Sequence, residues 1–144
     1  MTGRLKRAER LLDFADRSVK SALAAAAAAE RTVLAARAEC ETSERAWESA
    51  AQAFGAGVAF AVDLRDQSAH LRSLRVRADA SAAKLSAALE SERKARAMVI
   101  ETSRKRRTLE LWRDRIVETD QAEQRALERR GSDELAARVV RVRP

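Results

Sequence analysis

The stretch "AFGAGVAFAV", residues 53–62, decides the fold. The surrounding chain is crowded with Arg and Glu, yet nothing between Glu48 and Asp63 carries a charge. Two of the three Phe (Phe54, Phe60) and two of the four Gly (Gly55, Gly57) sit here. A buried strand, a membrane segment or the turning point of a long helix are the three readings. The run 49–62 contains Gln and Ser and falls short of the ~20 apolar residues that a transmembrane helix needs. Each glycine costs about 1 kcal/mol in a helix interior relative to Ala, so the pair weakens a helix locally.

What precedes the stretch is strongly periodic. Counting in sevens from Leu5 gives Leu5, Leu12, Val19, Ala26, Val33, Cys40, Trp47 and Phe54, all apolar. Counting from Ala8 gives Ala8, Ala15, Ala22, Ala29, Ala36, Ser43, Ala50 and Gly57, all small. Two interleaved seams, one large and one small, are the pattern of a coiled-coil helix. The six-alanine run Ala24–Ala29 keeps this phase. Glu9, Asp16, Glu30, Arg37, Glu39 and Glu44 fall on the flanks.

A second stripe begins after Asp63 with Leu64, Leu71, Ala78 and Leu85, beside Leu74, Ser81, Ala88 and Ala95. It continues less cleanly as Val99, Thr102, Leu109, Trp112 and Ile116. Glu92 and Arg106 fall on seam positions, which predicts a drift or stutter there. Gly131, behind Arg129 and Arg130, predicts a helix end. Ser132 as N-cap, with Asp133 and Glu134 after it, predicts a short terminal helix bearing Leu135, Val139 and Val142.

The predicted fold is therefore all-α: two long helices in an antiparallel coiled-coil hairpin, its tip near residues 55–60, plus a short C-terminal helix. Residues 1–131 form the hairpin, and 132–144 form an amphipathic segment with a basic tail. A turn near 57–58 sets residue i opposite roughly 115 minus i, so that Leu12 lies near Ser103 and Trp47 near Ser68. The helices would be about 75 and 105 Å long at 1.5 Å per residue. Residues beyond about 112 would then project past the first helix. The other reading is a single helix running through the glycines within a parallel dimer.

Composition agrees with long helices joined along narrow seams. Ala, Arg, Glu and Leu dominate, aromatic residues number five with no Tyr, and 35% of residues are charged. The only Pro is Pro144. The basic N-terminus "MTGRLKRAER" has no apolar region after it, so no signal peptide is predicted, and a cytoplasmic setting is the default. Cys40 is alone, which excludes an internal disulfide.

Charge is unevenly placed. Residues 1–20 carry net +3, 21–63 net −3, 64–103 net +3 and 104–144 net +4, for a total of +7. In the hairpin the first and last segments meet at a strongly basic open end. Such an end favours an acidic protein socket, nucleic acid or an anionic membrane surface.

No catalytic constellation stands out, and neither an enzyme nor a cofactor or metal is expected. His70 is the only histidine and reads as a flank residue; Cys40 reads as a small buried hydrophobe. No phosphate-cradling glycine motif is present. The run "RKRR", Arg104, Lys105, Arg106 and Arg107, reads equally as a contact for phosphates or acidic side chains and as a solvated helix face. Interleaved aromatics are missing, which argues against single-strand stacking. Trp47 reads as seam. Trp112, between the basic run and Arg113/Arg115, has the composition of an interface anchor, against packing on the N-terminus or terminal stripe. Phe54 and Phe60 either staple the turn or dock into a partner.

Residues 104–140, "RKRRTLELWRDRIVETDQAEQRALERRGSDELAARVV", resemble the C-terminal part of the FliJ/YscO family of type III secretion stalk proteins. The resemblance rests on the basic run, then Leu-x-x-Trp (Leu109, Trp112), a charged helix, and Asp133, Glu134, Leu135. Over 1–103 the likeness is architectural. It implies an antiparallel coiled coil similar to the central stalk of rotary ATPases. The end bearing both termini would enter the hexameric export ATPase, flagellar or injectisome. ATPase contacts would come from Arg104–Arg107, Leu109, Trp112, Arg113 and Ile116. Other parts would meet the export gate protein at the inner membrane and secretion chaperones. Against it stands a basic coiled-coil dimer that binds nucleic acid or organises a complex.

Overall fold

The heptad count is reproduced in the pattern of burial. In the computed structural model, which describes residues 3–142, α1 spans Gly3–Gln52 and α2 spans Ala61–Val142, and no strand occurs among these residues. Strong helix formers fill both segments, and no described residue is Pro. Arg143 and Pro144 of the expected basic tail, and the side chain of Val142, lie outside the described residues.

The described residues fall into two units, each with a length of α1 in contact with a length of α2. The second unit holds residues 21–99. Its α1 seam is Ala22, Val33 and Ala36, buried, with Ala26, Ala29, Cys40, Ser43, Trp47 and Ala50 half-buried. Its α2 seam is Ala78, Ser81 and Ala88, buried, with Leu71, Leu74, Leu85, Glu92, Ala95 and Val99 half-buried. Val33, Ala36 and Ala88 cluster, with Leu85 packed against them. Ser81 is satisfied locally: its Oγ donates to the Ala78 carbonyl at 2.8 Å. Facing residues run in opposite order along the two helices. Glu39 meets Lys84 at 2.7 Å, Trp47 meets Arg75, and Gly55 meets Gln67.

The first unit holds the described residues 3–20 and 100–142. Ala8, Leu12 and Ala15 are buried, and Leu5 and Val19 half-buried. Across from them, Thr102, Arg106, Leu109, Arg113, Ile116 and Asp120 are half-buried at unbroken three- and four-residue steps. Here Asp16 meets Arg106, and Gly3 and Arg4 share a cleft with Ile116 and Thr119. No large side chain is completely buried in either unit. Alanine seams let helices approach toward the short end of the ~8–10 Å interaxial range, so many small contacts replace a few large ones.

Three expectations are corrected. First, the register differs by one heptad. Trp47 lies by Arg75 instead of Ser68, and Leu12 lines a groove with Arg106, Glu110 and Arg113 instead of facing Ser103. The connection is not shared equally: α1 stops at Gln52, and the loop folds back along the start of α2 as far as Gln67. Ile116 therefore lies against the start of α1 instead of projecting beyond it.

Second, the α2 seam does not stutter. Glu92 and Arg106 sit in phase: the Glu92 side chain stays largely covered beside small seam residues, and Arg106 reaches partway to solvent. Glu92 pairs with Arg96 at 2.6 Å and Arg106 with Glu110 at 2.7 Å. Trp112 is the residue displaced from the seam, and Arg113 takes the position.

Third, α2 passes through Gly131 without ending, so there is no separate short C-terminal helix. Ser132 does not cap; its Oγ donates to the Glu128 carbonyl at 3.0 Å, the bond of a helix-interior serine. One glycine costs about 1 kcal/mol, too little to stop a helix flanked by strong formers on both sides.

Candidate partner-binding surfaces

In the second unit the uncharged stretch is the connection itself, residues 53–60. Gly55 (φ 86°) and Gly57 (φ 69°) hold left-handed conformations that residues with a Cβ adopt at a cost. Gln67 clamps the loop: Gly55 N–H donates to its Oε1 at 2.9 Å, and its Nε2 donates to the Ala56 carbonyl at 3.4 Å. The Phe60 carbonyl accepts from the Asp63 and Leu64 amides, opening α2, and Asp63 places a negative charge in its first turn. Phe54 is exposed and Phe60 is 72% exposed, with Val62 and Leu64 also exposed. Neither Phe is sealed into the turn. The basic group of Arg75 stacks 4.7 Å from the Trp47 ring centroid. Cys40 is half-buried and has a free thiol, and His70 is exposed.

In the first unit the basic run divides. Lys105 pairs with Glu101 at 2.7 Å, Arg106 with Asp16 and Glu110, and Arg107 with Glu110 at 3.1 Å. Only Arg104 of the four makes no ion pair among the described residues. A hydrogen bond from Lys105 holds the Glu101 carboxyl below its usual range. The Asp16 carboxylate, then Glu110, pushes the Arg106 guanidinium up. Arg113 donates to Asp114 at 2.6 and 3.0 Å and is pushed up by it, with smaller help from Glu110 and Glu9. These pairs are solvated, and exposed ion pairs contribute about 0–1 kcal/mol each, so a competing carboxylate can exchange into them.

Leu109 and Ile116 are half-buried seam residues, whereas Trp112 is 37% exposed beside exposed Leu111. The eight expected contact residues thus separate. Arg104 faces solvent and Trp112 is partly exposed, Lys105 and Arg107 are exposed but paired, and Leu109, Arg113 and Ile116 are half-buried seam residues with Arg106. Beyond Asp120 every residue through Arg141 is exposed, including Leu127, Leu135, Val139 and Val140.

A further exposed face went unnoticed in the sequence: Lys6, Arg10, Phe14 and Arg17 on the outer side of α1. Its signal is the four-, four- and three-residue spacing, visible once the opposite seam is fixed. No protein-family model matches this chain, and neither a curated protein nor a solved structure does.

Proposed function

We propose that the chain is an antiparallel coiled-coil hairpin acting as the central stalk of a type III secretion export apparatus. Its basic end enters the hexameric export ATPase, and the stalk links that ring to the export gate protein and secretion chaperones. The protein then works in the cytoplasm, peripheral to the inner membrane through these partners. What supports the reading is α2 at residues 104–116: a partly exposed Trp112 and an exposed Arg104 on a helix whose neighbouring seam residues are packed. The reversed order of facing residues supports the hairpin. The resemblance of 104–140 to FliJ/YscO proteins supplies the system.

The mechanism is mechanical. A stiff helical pair biases ring subunits only through contacts that differ between their states. Trp112 supplies an aromatic anchor, and the paired arginines supply charges that a ring carboxylate can recruit.

The test is a nuclease-treated pull-down of the tagged protein at low and moderate salt, followed by ATPase assays with any hexameric ATPase recovered. The reading expects a secretion ATPase whose turnover rises with the protein, and a Trp112→Ala variant that stimulates less at unchanged helicity. Recovery of nucleic acid before nuclease treatment, with no ATPase, would favour the basic coiled-coil alternative, for which the net charge of +7 speaks.

A further inference from the structure

The outer face of α1 in the first unit carries chemistry that the helix pairing does not use. Lys6, Arg10, Phe14 and Arg17 line the side of the helix opposite Ala8, Leu12 and Ala15. Arg7 and Lys20 flank this line; the acids Asp13, between Lys6 and Lys20 around the helix, and Glu9, next to Lys20, border it. All eight side chains are exposed, Phe14 by 68%. The side chains of Lys6, Arg7, Arg10, Arg17 and Lys20 form no ion pair or hydrogen bond among the described residues. This contrasts with α2 of the same unit, where most cations of the basic run are paired. The face extends about 21 Å from Lys6 to Lys20 at 1.5 Å per residue.

We infer that this face binds an anionic lipid surface, with the phosphates of the bilayer on the five cations and Phe14 entering the headgroup boundary. Charge complementarity selects a polyanion, and Phe14 selects among polyanions. A bilayer offers phosphate at its surface and apolar chains about 5–10 Å beneath, so cations and an aromatic ring on one helix face are satisfied together. A nucleic-acid backbone satisfies the cations and leaves the ring in water. Phe14 stands one turn from both Arg10 and Arg17, so it reaches down where the charges are already held at the surface. This contact uses α1 and the export reading uses α2 of the same unit, so the bilayer and the ATPase ring engage that end in turn and not together.

Sedimentation of the full chain with vesicles tests it. Vesicles of phosphatidylcholine with phosphatidylglycerol carry the protein down at low salt, and vesicles of phosphatidylcholine alone do not. The double variant R10Q/R17Q binds roughly 25-fold more weakly, at about fivefold per cation near the surface. F14A keeps low-salt binding and loses the part that survives moderate salt. Circular dichroism confirms that both variants remain helical, as exposed substitutions should. Absence of binding to the anionic vesicles would overturn the proposal. So would binding unchanged in R10Q/R17Q, or binding to duplex DNA or an acidic protein in place of the vesicles.

Discussion

The guanidinium of Arg75 lies 4.7 Å from the centroid of the Trp47 ring, joining α2 to α1 near the connection. Both ends of this contact are partly solvated, so the expected coupling is about 0.5–1 kcal/mol. A double-mutant cycle with Arg75→Gln and Trp47→Leu in urea denaturation measures it. Zero coupling would mean that Trp47 acts through seam packing alone.

Glycine substitutions separate by sign. At Gly55 and Gly57 no atom stands within 4 Å of an added Cβ, so alanine there meets strain only from the positive φ. Each Gly→Ala change is expected to cost about 1–2 kcal/mol in chemical denaturation. Gly131 is equally unobstructed but helical. Gly131→Ala should favour helix locally by about 1 kcal/mol, seen as slower amide exchange around it.

Enlarging the small seam should harm the fold although it adds apolar surface. Ala8 is completely buried and Ala36 is 3% exposed. Ala8→Leu or Ala36→Leu forces the helices apart, with an expected loss of about 1–3 kcal/mol. A raised urea midpoint would show that the seams have room to spare.

Acid should loosen the helices through specific carboxylates. Arg93 holds Glu90 below its usual range by hydrogen bonding, and Lys105 does the same for Glu101. A carboxyl lowered on folding stabilises above its unfolded pKa, and that contribution disappears as pH falls through the folded value. Helicity followed by circular dichroism should therefore fall on acidification through and below the ordinary carboxylate range. Glu101→Gln should flatten part of that fall, and an identical titration would exclude the Lys105 pair as a contributor.

The sequence conveys phase far better than register. Each α1 seam residue from Leu5 to Ala50 lies where counting in sevens puts it, because burial on a helix follows the same period. A sliding shift of seven residues leaves every seam matched, so periodicity alone cannot separate Ser68 from Arg75 opposite Trp47. The choice belongs to the loop, through Gln67 and two glycines whose conformations no heptad encodes. Glu92 and Arg106 were misleading for a related reason. Their charge suggested a stutter, but a small facing seam accommodates long charged side chains in phase. Of the candidate contacts, Trp112 stands out by composition, whereas Phe14 stands out only by its place opposite the Ala8, Leu12 and Ala15 seam.

With alanine carrying so much of each seam, no side chain acts as a keystone, and the second unit is modular along its length. Excising 29–35 from α1 together with 87–93 from α2 removes one matched heptad from each helix and restores every remaining pairing. Both helices of that unit shorten by about 10 Å at 1.5 Å per residue. Removing either heptad alone leaves the seams in phase yet strands the loop one repeat out of place. Length in this protein is thus a quantity that paired deletions and insertions can adjust, in steps of seven.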